Sequence, residues 1–455
     1  MKTVITYGTF DLFHTGHLRL LERAKKLGER LIVGVTSDFY DQTRGKLNVM
    51  QTLNERVENV RRTGLADEII IEEEEGQKIT DIQKYGVDIF TIGSDWVDKF
   101  DYLSEYCEVV YLERTKGVSS TELRQKLVPI VHIGMVGYGR IATRFLRESK
   151  YVSGLEVTAV CGRNAEKAAA FAKQYSLAES FADYDQMLKK VDAVYIAIPH
   201  HLHYEYTRKA LIAGKHVLCE KPLVLSSRQA RELFTLADSN NLILMEAIKT
   251  AYCPGFNQLL GIAKSGTIGT IKAVDAVFTK LITDKSLREY DAGQAGGAFT
   301  ELASYPLMAI TRLLGSTPRN VSFIADIDKN SNVDTFTRAN LMYSNAIASA
   351  TVAIGAKREG DLCITGTMGY IYVPAPWWKT EYFEVRYEDS RRNRKYYIKF
   401  EEDGLRYEIA HFLRKINRNS NSQKLTADES VFIADIIEQF RKGESTQLID
   451  WGGIL

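Results

Sequence analysis

The run Tyr7-Gly8-Thr9-Phe10-Asp11-Leu12-Phe13-His14-Thr15-Gly16-His17 sets two histidines three residues apart at the start of a helix that follows an apolar strand. Residues at that spacing share a helix face. A helix amino terminus offers unsatisfied N–H groups and a positive dipole end, so the two imidazoles would converge on a bound phosphate, with Gly16 letting it approach closely. A second run, Gly137-Tyr138-Gly139-Arg140-Ile141-Ala142, also lies between an apolar strand and a helix. This context suits a dinucleotide pyrophosphate, which needs a tight turn, close backbone approach and close helix packing. About 20 residues further on, an acidic side chain usually holds the ribose. Here the sequence reads Cys161-Gly162-Arg163-Asn164. An arginine without a carboxylate suits a 2′-phosphate and favours NADP over NAD.

Both motifs need strand-turn-helix units to position them. ITYGTF, LIVGV, ADEIII, DIFTIG and CEVVYL alternate with helical patterns such as HLRLLERAKKLG and RVENVRR, the pattern of βαβ units around a parallel sheet. At Val128-Pro129 the pattern restarts with IVHIGMV, followed by LEVTAVCG, DAVYIAIP and HVLCEKP. After about residue 255, long β-rich runs (IKAVDAVFTKLIT, ASATVAIGA, TEYFEVRYE) predict a mostly antiparallel sheet carrying helices. The expectation is an α/β chain: a Rossmann-like domain over 1–127, a dinucleotide-binding Rossmann domain over 128–255, and an α+β domain over 256–455 for substrate binding and oligomerisation. A length of 455 residues accommodates three such cores.

Composition narrows the function. With 45% hydrophobic and 26% charged residues the chain is an ordinary globular one, neither disordered nor a disulfide scaffold. Fifty-nine basic residues against 58 acidic ones leave a net charge of +1, which argues against a nucleic-acid binder and for small-molecule partners. The five cysteines are scattered without metal-ligand spacing and read as reduced thiols. No apolar run reaches the roughly 18 residues needed to span a bilayer, and the amino terminus reads as strand-turn-helix rather than as a secretion signal, so a cytoplasmic protein is expected.

Over residues 1–127 the chain resembles the glycerol-3-phosphate cytidylyltransferases of the HxGH nucleotidyltransferase superfamily. GTFDLFHTGH, GSDWVDKFD and RTKGVSSTELR occur in the family's order. The resemblance implies attack by an alditol-phosphate oxygen on the α-phosphorus of CTP, with release of pyrophosphate. It gives His14 and His17 the α-phosphoryl oxygens. It assigns nucleotide binding to Thr9, Phe10, Lys46, Asp95, Arg114, Thr115, Ser119, Ser120 and Thr121, acceptor phosphate to Arg44 and Lys78, and Mg²⁺ to Asp11. Two positions depart from the family. Gly64 replaces an arginine, with Arg61 or Arg62 nearby as a substitute, and Glu75 replaces a tryptophan beside the acceptor, where a carboxylate could bind the hydroxyls of a polyol longer than glycerol.

From 128 to 455 the chain resembles the glucose-fructose oxidoreductase, inositol dehydrogenase and rhizopine-catabolism family, through AIPHHLHYEYTRKALIAGKHVLCEKPL and AGGAFTELASYPL. The resemblance places Lys221 beside nicotinamide and substrate oxygen, and Tyr305 as general acid or base. Gly137, Gly139, Arg140, Ile141, Ala142, Arg163, Pro199, His203 and Glu220 would bind the cofactor. A ketone accepting hydride needs a proton, and an ammonium beside a phenol should make it a better donor. Glu301 and Ala303 replace the family's usual Asp and Gly. Together the halves suggest reduction of a ketose or keto-polyol phosphate followed by cytidylylation of the alditol phosphate, by a homo-oligomer. The alternatives are an unrelated sugar, an oxidation, or a Rossmann half that is only a scaffold.

Overall fold

The computed structural model describes residues 2–43, 49–74, 76–113, 130–418 and 424–449. The chain divides into two compact units, Met1–Ile130 and Val131–Leu455.

The first unit is built on five parallel strands, β1 (Thr3–Gly8), β2 (Arg30–Thr36), β3 (Glu68–Glu72), β4 (Ile89–Gly93) and β5 (Glu108–Leu112). Their order in the sheet is β3-β2-β1-β4-β5. Period-2 alternation splits the strand side chains between two cores. Val4, Val33 and Val35 join Leu21 and Val60 on one face, while Ile5, Ile32 and Phe90 join Ile82 on the other. The direction of winding reverses between β1 and β4, and their carboxyl ends flank the crevice where ligands of open α/β sheets bind. The histidine motif leaves β1 at that point.

The second unit begins with six parallel strands, β6 (Val131–Val136), β7 (Leu155–Cys161), β8 (Glu179–Phe181), β9 (Ala193–Ile196), β10 (His216–Glu220) and β11 (Leu244–Ala247), in the order β11-β10-β9-β6-β7-β8. Here the reversal falls between β9 and β6, so the glycine-rich turn after β6 and the Ala197–His200 segment after β9 face one crevice.

A nine-stranded sheet follows: β12 (Ile271–Thr279), β13 (Asn320–Asp328), β14 (Val333–Met342), β15 (Ile347–Ala353), β16 (Leu362–Gly366), β17 (Tyr370–Val373), β18 (Tyr382–Arg386), β19 (Arg394–Tyr397) and β20 (Thr446–Leu448). Its order is β19-β18-β17-β16-β12-β15-β14-β13-β20. The sheet is mixed, because β12 pairs parallel to β15 and β20 parallel to β13, while the other neighbours are antiparallel. The last two helices return to the dinucleotide half. In helix Leu405–Arg418, Arg406 donates to Glu148 (3.2 Å), and Glu438 of helix Ala427–Arg441 accepts from the Ser227 amide (2.8 Å). Nothing in the local patterning of 405–441 foretells that return.

Candidate active sites

In the first unit, His14 caps the helix Thr15–Lys25: its Nδ1 accepts from the Gly16 amide at 3.0 Å. That bond fixes the neutral tautomer with its proton on Nε2. The His14 and His17 rings stack with centroids 4.0 Å apart and planes 20° off parallel. Phe10 meets the His17 ring edge-on at 5.5 Å and sets its orientation. Between strand and helix the backbone is strained, with φ of +53° at Phe10 and +48° at Leu12. Such residues cost roughly 1–3 kcal/mol each and persist where neighbours hold them. Those neighbours are Asp11, whose Oδ1 accepts from the Met50 and Gln51 amides (both 2.9 Å), and Gln51, whose Oε1 accepts from the Leu12 amide (2.8 Å). Asp11 is 2% exposed. It works here as a backbone anchor for the loop. Among the described residues no group of three His, Cys, Asp or Glu side chains could hold a metal ion.

Arg56, which sequence reasoning passed over, organises the same loop. It is completely buried and donates to the carbonyls of Thr9 (2.7 Å), Thr36 (2.7 Å) and Gln51 (3.2 Å) and to Asp38 (2.5 Å). Thr9 is buried too, its hydroxyl bonded to Asp41 at 2.9 Å. An arginine on an amphipathic helix gives no sequence signal of burial. Lys78, expected at the acceptor phosphate, is 7% exposed and ion-paired with Glu72, its ammonium 4.7 Å from the centre of the Tyr7 ring. Tyr7 in turn donates to Asp81 at 2.8 Å. Arg44, Lys46, Glu75, Arg114, Thr115, Ser119, Ser120 and Thr121 lie outside the described residues, as does the Asp95 side chain.

In the second unit a cavity of about 490 Å³ opens at the carboxyl ends of β6, β9 and β10. Gly137, Gly139, Arg140, Ile141, Arg163, Pro199, Glu220, Lys221 and Tyr305 line it; Ala142 is buried in the helix beneath. Gly137 has φ of +98°, and a Cβ there would lie 2.4 Å from the Ala197 carbonyl oxygen. At Gly139 a Cβ would meet nothing within 4 Å, so the amino terminus of helix Arg140–Ser149 stands open to a pyrophosphate. These residues fit a dinucleotide.

His203 does not line the cavity. It is fully buried behind the wall, its Nδ1 2.8 Å from the Pro222 carbonyl and its Nε2 2.9 Å from the Ile198 carbonyl, and burial pushes its pKa down to about 3. It ties the segment after β9 to the one after β10, and so positions Lys221.

Lys221 Nζ donates to the Glu301 carbonyl at 2.7 Å. The short helix Ala298–Leu302 that carries Glu301 starts at Gly297, where φ is +105° and a Cβ would clash with Asp334. Asp334 accepts from the Phe299 amide (2.8 Å) and holds the helix start. Glu301 is 2.9 Å from His200 Nε2 and 3.0 Å from an Arg288 nitrogen. Burial would raise the Glu301 carboxyl, but the His200 hydrogen bond and the nearby charges prevail and hold it at about 2. His200, which lines the cavity, is kept below the ordinary histidine value chiefly by burial. This His200-Glu301-Arg288 cluster was not legible, because Arg288 starts a single 3₁₀ turn, Arg288–Tyr290, that carries no motif.

Tyr305, at the start of helix Ser304–Leu314, meets Phe278 edge-on at 5.1 Å. Its phenol is pushed well above 10 by burial, and the carboxyls of Glu220 and Glu408 add to the shift. The expected acidification by Lys221 is not found. Desolvation of the phenolate beside two carboxyls sets the direction.

Residues 5–126 match the family model of cytidylyltransferase-like proteins, residues 131–248 that of the oxidoreductase family with an NAD-binding Rossmann fold, and residues 256–372 that of the GFO/IDH/MocA C-terminal domain. Glycerol-3-phosphate cytidylyltransferase from Bacillus spizizenii is 48% identical over 130 residues, 29% of this chain and 100% of that protein. An uncharacterized oxidoreductase of Rhizobium meliloti is 33% identical over 217 residues, 47% of this chain and 65% of its own length. The crystal structure of a 3-ketoreductase from Actinomadura kijaniata, in complex with NADP and TDP-benzene, shares the fold: TM-score 0.64 at 24% identity, covering 71% of this chain and 100% of that one. The chain belongs to two enzyme families at once, the cytidylyltransferases through its amino-terminal unit and the NAD(P)-dependent Gfo/Idh/MocA oxidoreductases through its carboxy-terminal unit.

Proposed function

We propose that the two units act in sequence. The carboxy-terminal unit reduces a ketose or keto-polyol phosphate with NADPH, and the amino-terminal unit couples the resulting alditol phosphate to CTP, giving a CDP-alditol and pyrophosphate. In this reading the product feeds capsule or teichoic-acid-type polymer synthesis, and the chain works in the cytoplasm as a homo-oligomer of three-domain subunits. The observation that carries the reading is charge. Among the described residues lining the cavity, Arg140, Arg144, Arg163, Lys221, Lys249 and Arg288 outnumber the carboxylate Glu220, even with Arg288 paired to Glu301 and Arg144 to Asp403 behind the lining. That surplus suits phosphates on both cofactor and substrate, with Arg163 at the end of β7 placed for a 2′-phosphate. An alditol phosphate, the class of acceptor for which the Bacillus relative is named, is what reducing a ketose phosphate yields.

When bound, the nicotinamide supplies the hydride. Tyr305 then gives its phenolic proton to the carbonyl oxygen, and Lys221 stabilises the charge that develops there. A phenol held protonated by burial suits the reducing direction, since oxidation would have to start from its phenolate. In the other unit, His14 donates from Nε2 and His17 beside it donates to the same α-phosphoryl oxygens, while Lys46, Arg114, Thr115 and the hydroxyls of 119–121 hold the triphosphate. Positioning and charge stabilisation do most of this work.

Replacing both Lys221 and Tyr305 tests the reductase assignment. NADPH consumption with a ketose phosphate should fall to background, and persistence at the wild-type rate would overturn it.

A further inference from the structure

Six lysines and arginines line the reductase cavity, and five of them answer to a neighbour or to the cofactor. Arg140 opens the helix whose amino terminus faces a pyrophosphate, and Arg163 follows β7, where a 2′-phosphate is proposed. Arg144 is paired with Asp403 at 3.4 Å and Arg288 with Glu301 at 2.9 Å. Lys221, bonded to the Glu301 carbonyl, is the lysine assigned to the reacting oxygen. Lys249 is the sixth. Its ammonium donates to the Asp403 backbone carbonyl, and among the described residues no carboxylate lies within ion-pairing distance of it. Glu220, in the same lining, is engaged elsewhere, accepting from the Tyr195 hydroxyl (2.6 Å) and the Lys221 amide (3.3 Å).

The sheet fixes where this charge stands. β10 and β11 are parallel neighbours, with Glu220 paired to Ala247. Lys221 follows Glu220 by one residue and Lys249 follows Ala247 by two, so the two lysines leave the same end of the sheet side by side. The glycine-rich turn follows β6, three strands away across β9 and β10. At about 4.8 Å per strand spacing that is roughly 14 Å. Lys249 therefore lies beyond Lys221 on the side away from the pyrophosphate. Its backbone is pinned: the Thr250 hydroxyl donates to the Trp378 carbonyl (2.6 Å) and the Tyr252 hydroxyl to the Glu246 carbonyl (3.0 Å). The Asp403 carbonyl that aims the ammonium is held as well, since the Asp403 amide donates to Glu148 (3.0 Å). An ammonium has three N–H donors, and one is used within the chain. A half-buried cation without a counter-charge is costly, and an anionic ligand supplies what the protein lacks there.

We propose that Lys249 is the residue by which the reductase site recognises the phosphate of its substrate. Lys221 and Tyr305 hold the carbonyl, and Lys249 donates to the phosphate at the other end of the same small molecule, so that a ketose phosphate is selected over the free ketose. A lysine serves here as a point charge, which accommodates a phosphate on carbon chains of differing length. The inference rests on the reading of this unit as a ketose-phosphate reductase.

The test uses the full-length chain as wild type, Lys249→Gln and Lys249→Arg, with NADPH and each ketose phosphate beside the same ketose without its phosphate. Lys249→Gln should lower kcat/KM for the ketose phosphate by about tenfold to a hundredfold, the worth of one charge-assisted hydrogen bond. The phosphate is remote from the reacting carbon, so the loss should fall in KM, with kcat within about threefold. Turnover of the free ketose and KM for NADPH should stay within about twofold, and Lys249→Arg should restore most of the loss. Calorimetry should show the same fold-loss in binding of the alditol phosphate to the NADP-loaded protein, and none for the unphosphorylated alditol. Lys249→Met, which keeps the stem and removes the charge, serves in its place if Lys249→Gln does not fold. Equal losses for phosphorylated and free ketose, a matching rise in KM for NADPH, or unchanged binding of the alditol phosphate would each overturn the assignment of Lys249 alone. Failure of the wild-type protein to reduce any ketose phosphate overturns the reading on which it rests.

Discussion

Glu301→Gln removes the carboxylate charge that His200 and Arg288 bond and that Lys221 feels from its place on the Glu301 carbonyl, without changing the side chain's size. Its folded pKa of about 2 lies 2.5 units below the ordinary 4.5, and at 1.36 kcal/mol per unit this is about 3 kcal/mol of stability. His200 is kept neutral by its burial, so at neutral pH it contributes a hydrogen bond while Arg288 and Lys221 contribute charge. Because the folded value lies below the unfolded one, the contribution is complete above pH 4.5 and is lost as pH falls towards 2. For a unit the size of Val131–Leu455, an unfolding entropy of roughly 0.7 kcal/mol/K turns it into a drop in Tm of about 4 °C. Calorimetry of the full chain at pH 7 and pH 3 measures it. The variant should be about 3 kcal/mol less stable at pH 7, and roughly half that at pH 3, where the carboxyl is protonated in the unfolded chain but still ionised in the folded one. A loss under 1 kcal/mol at pH 7, or an equal loss at both pH values, would refute the reasoning.

Further outcomes follow from the same geometry. His17→Ala should lower pyrophosphate release from CTP and an alditol phosphate by about 10² to 10³ while leaving NADPH oxidation untouched; equal loss of both activities would mean a folding defect. Arg163→Ala should reduce the proposed preference for NADPH over NADH by about tenfold in kcat/KM, since it removes the cation proposed to meet the 2′-phosphate; an unchanged ratio would place cofactor selection elsewhere. His203 has a folded pKa near 3 against an ordinary 6.5. The unfolded chain therefore binds the extra proton, and stability declines as pH falls from 6.5 towards 3. Urea unfolding of His203→Gln between pH 7 and 4 should show a shallower decline than wild type, and an identical slope would deny that burial of this ring sets it.

The two catalytic motifs and their strand-turn-helix settings were readable because their chemistry is local. His14 caps the helix it begins, and Gly137 needs the backbone freedom that its motif supplies. What escaped was assembled across the chain. Arg56 gathers carbonyls from three segments, and Arg288 meets a His200 that is 88 residues away in the chain. Glu408 lies in an amphipathic helix whose partner is set by tertiary packing rather than by periodicity. The acidity of Tyr305 was misjudged for the same reason: the sequence places a lysine nearby but says nothing of the desolvation and the two carboxyls that oppose it. Nor did the sequence show that Asp11 anchors the loop through the Met50 and Gln51 amides.

The coupled reaction itself is tested most directly by one measurement. The full-length protein is incubated with CTP, NADPH and, in turn, dihydroxyacetone phosphate, ribulose 5-phosphate or fructose 6-phosphate, and the products are weighed by mass spectrometry. The account predicts that at least one ketose phosphate gives the mass of its CDP-alditol, dependent on both NADPH and CTP. If none gives a CDP-alditol while ready-made alditol phosphates are cytidylylated, the two sites do not act on consecutive intermediates of one substrate.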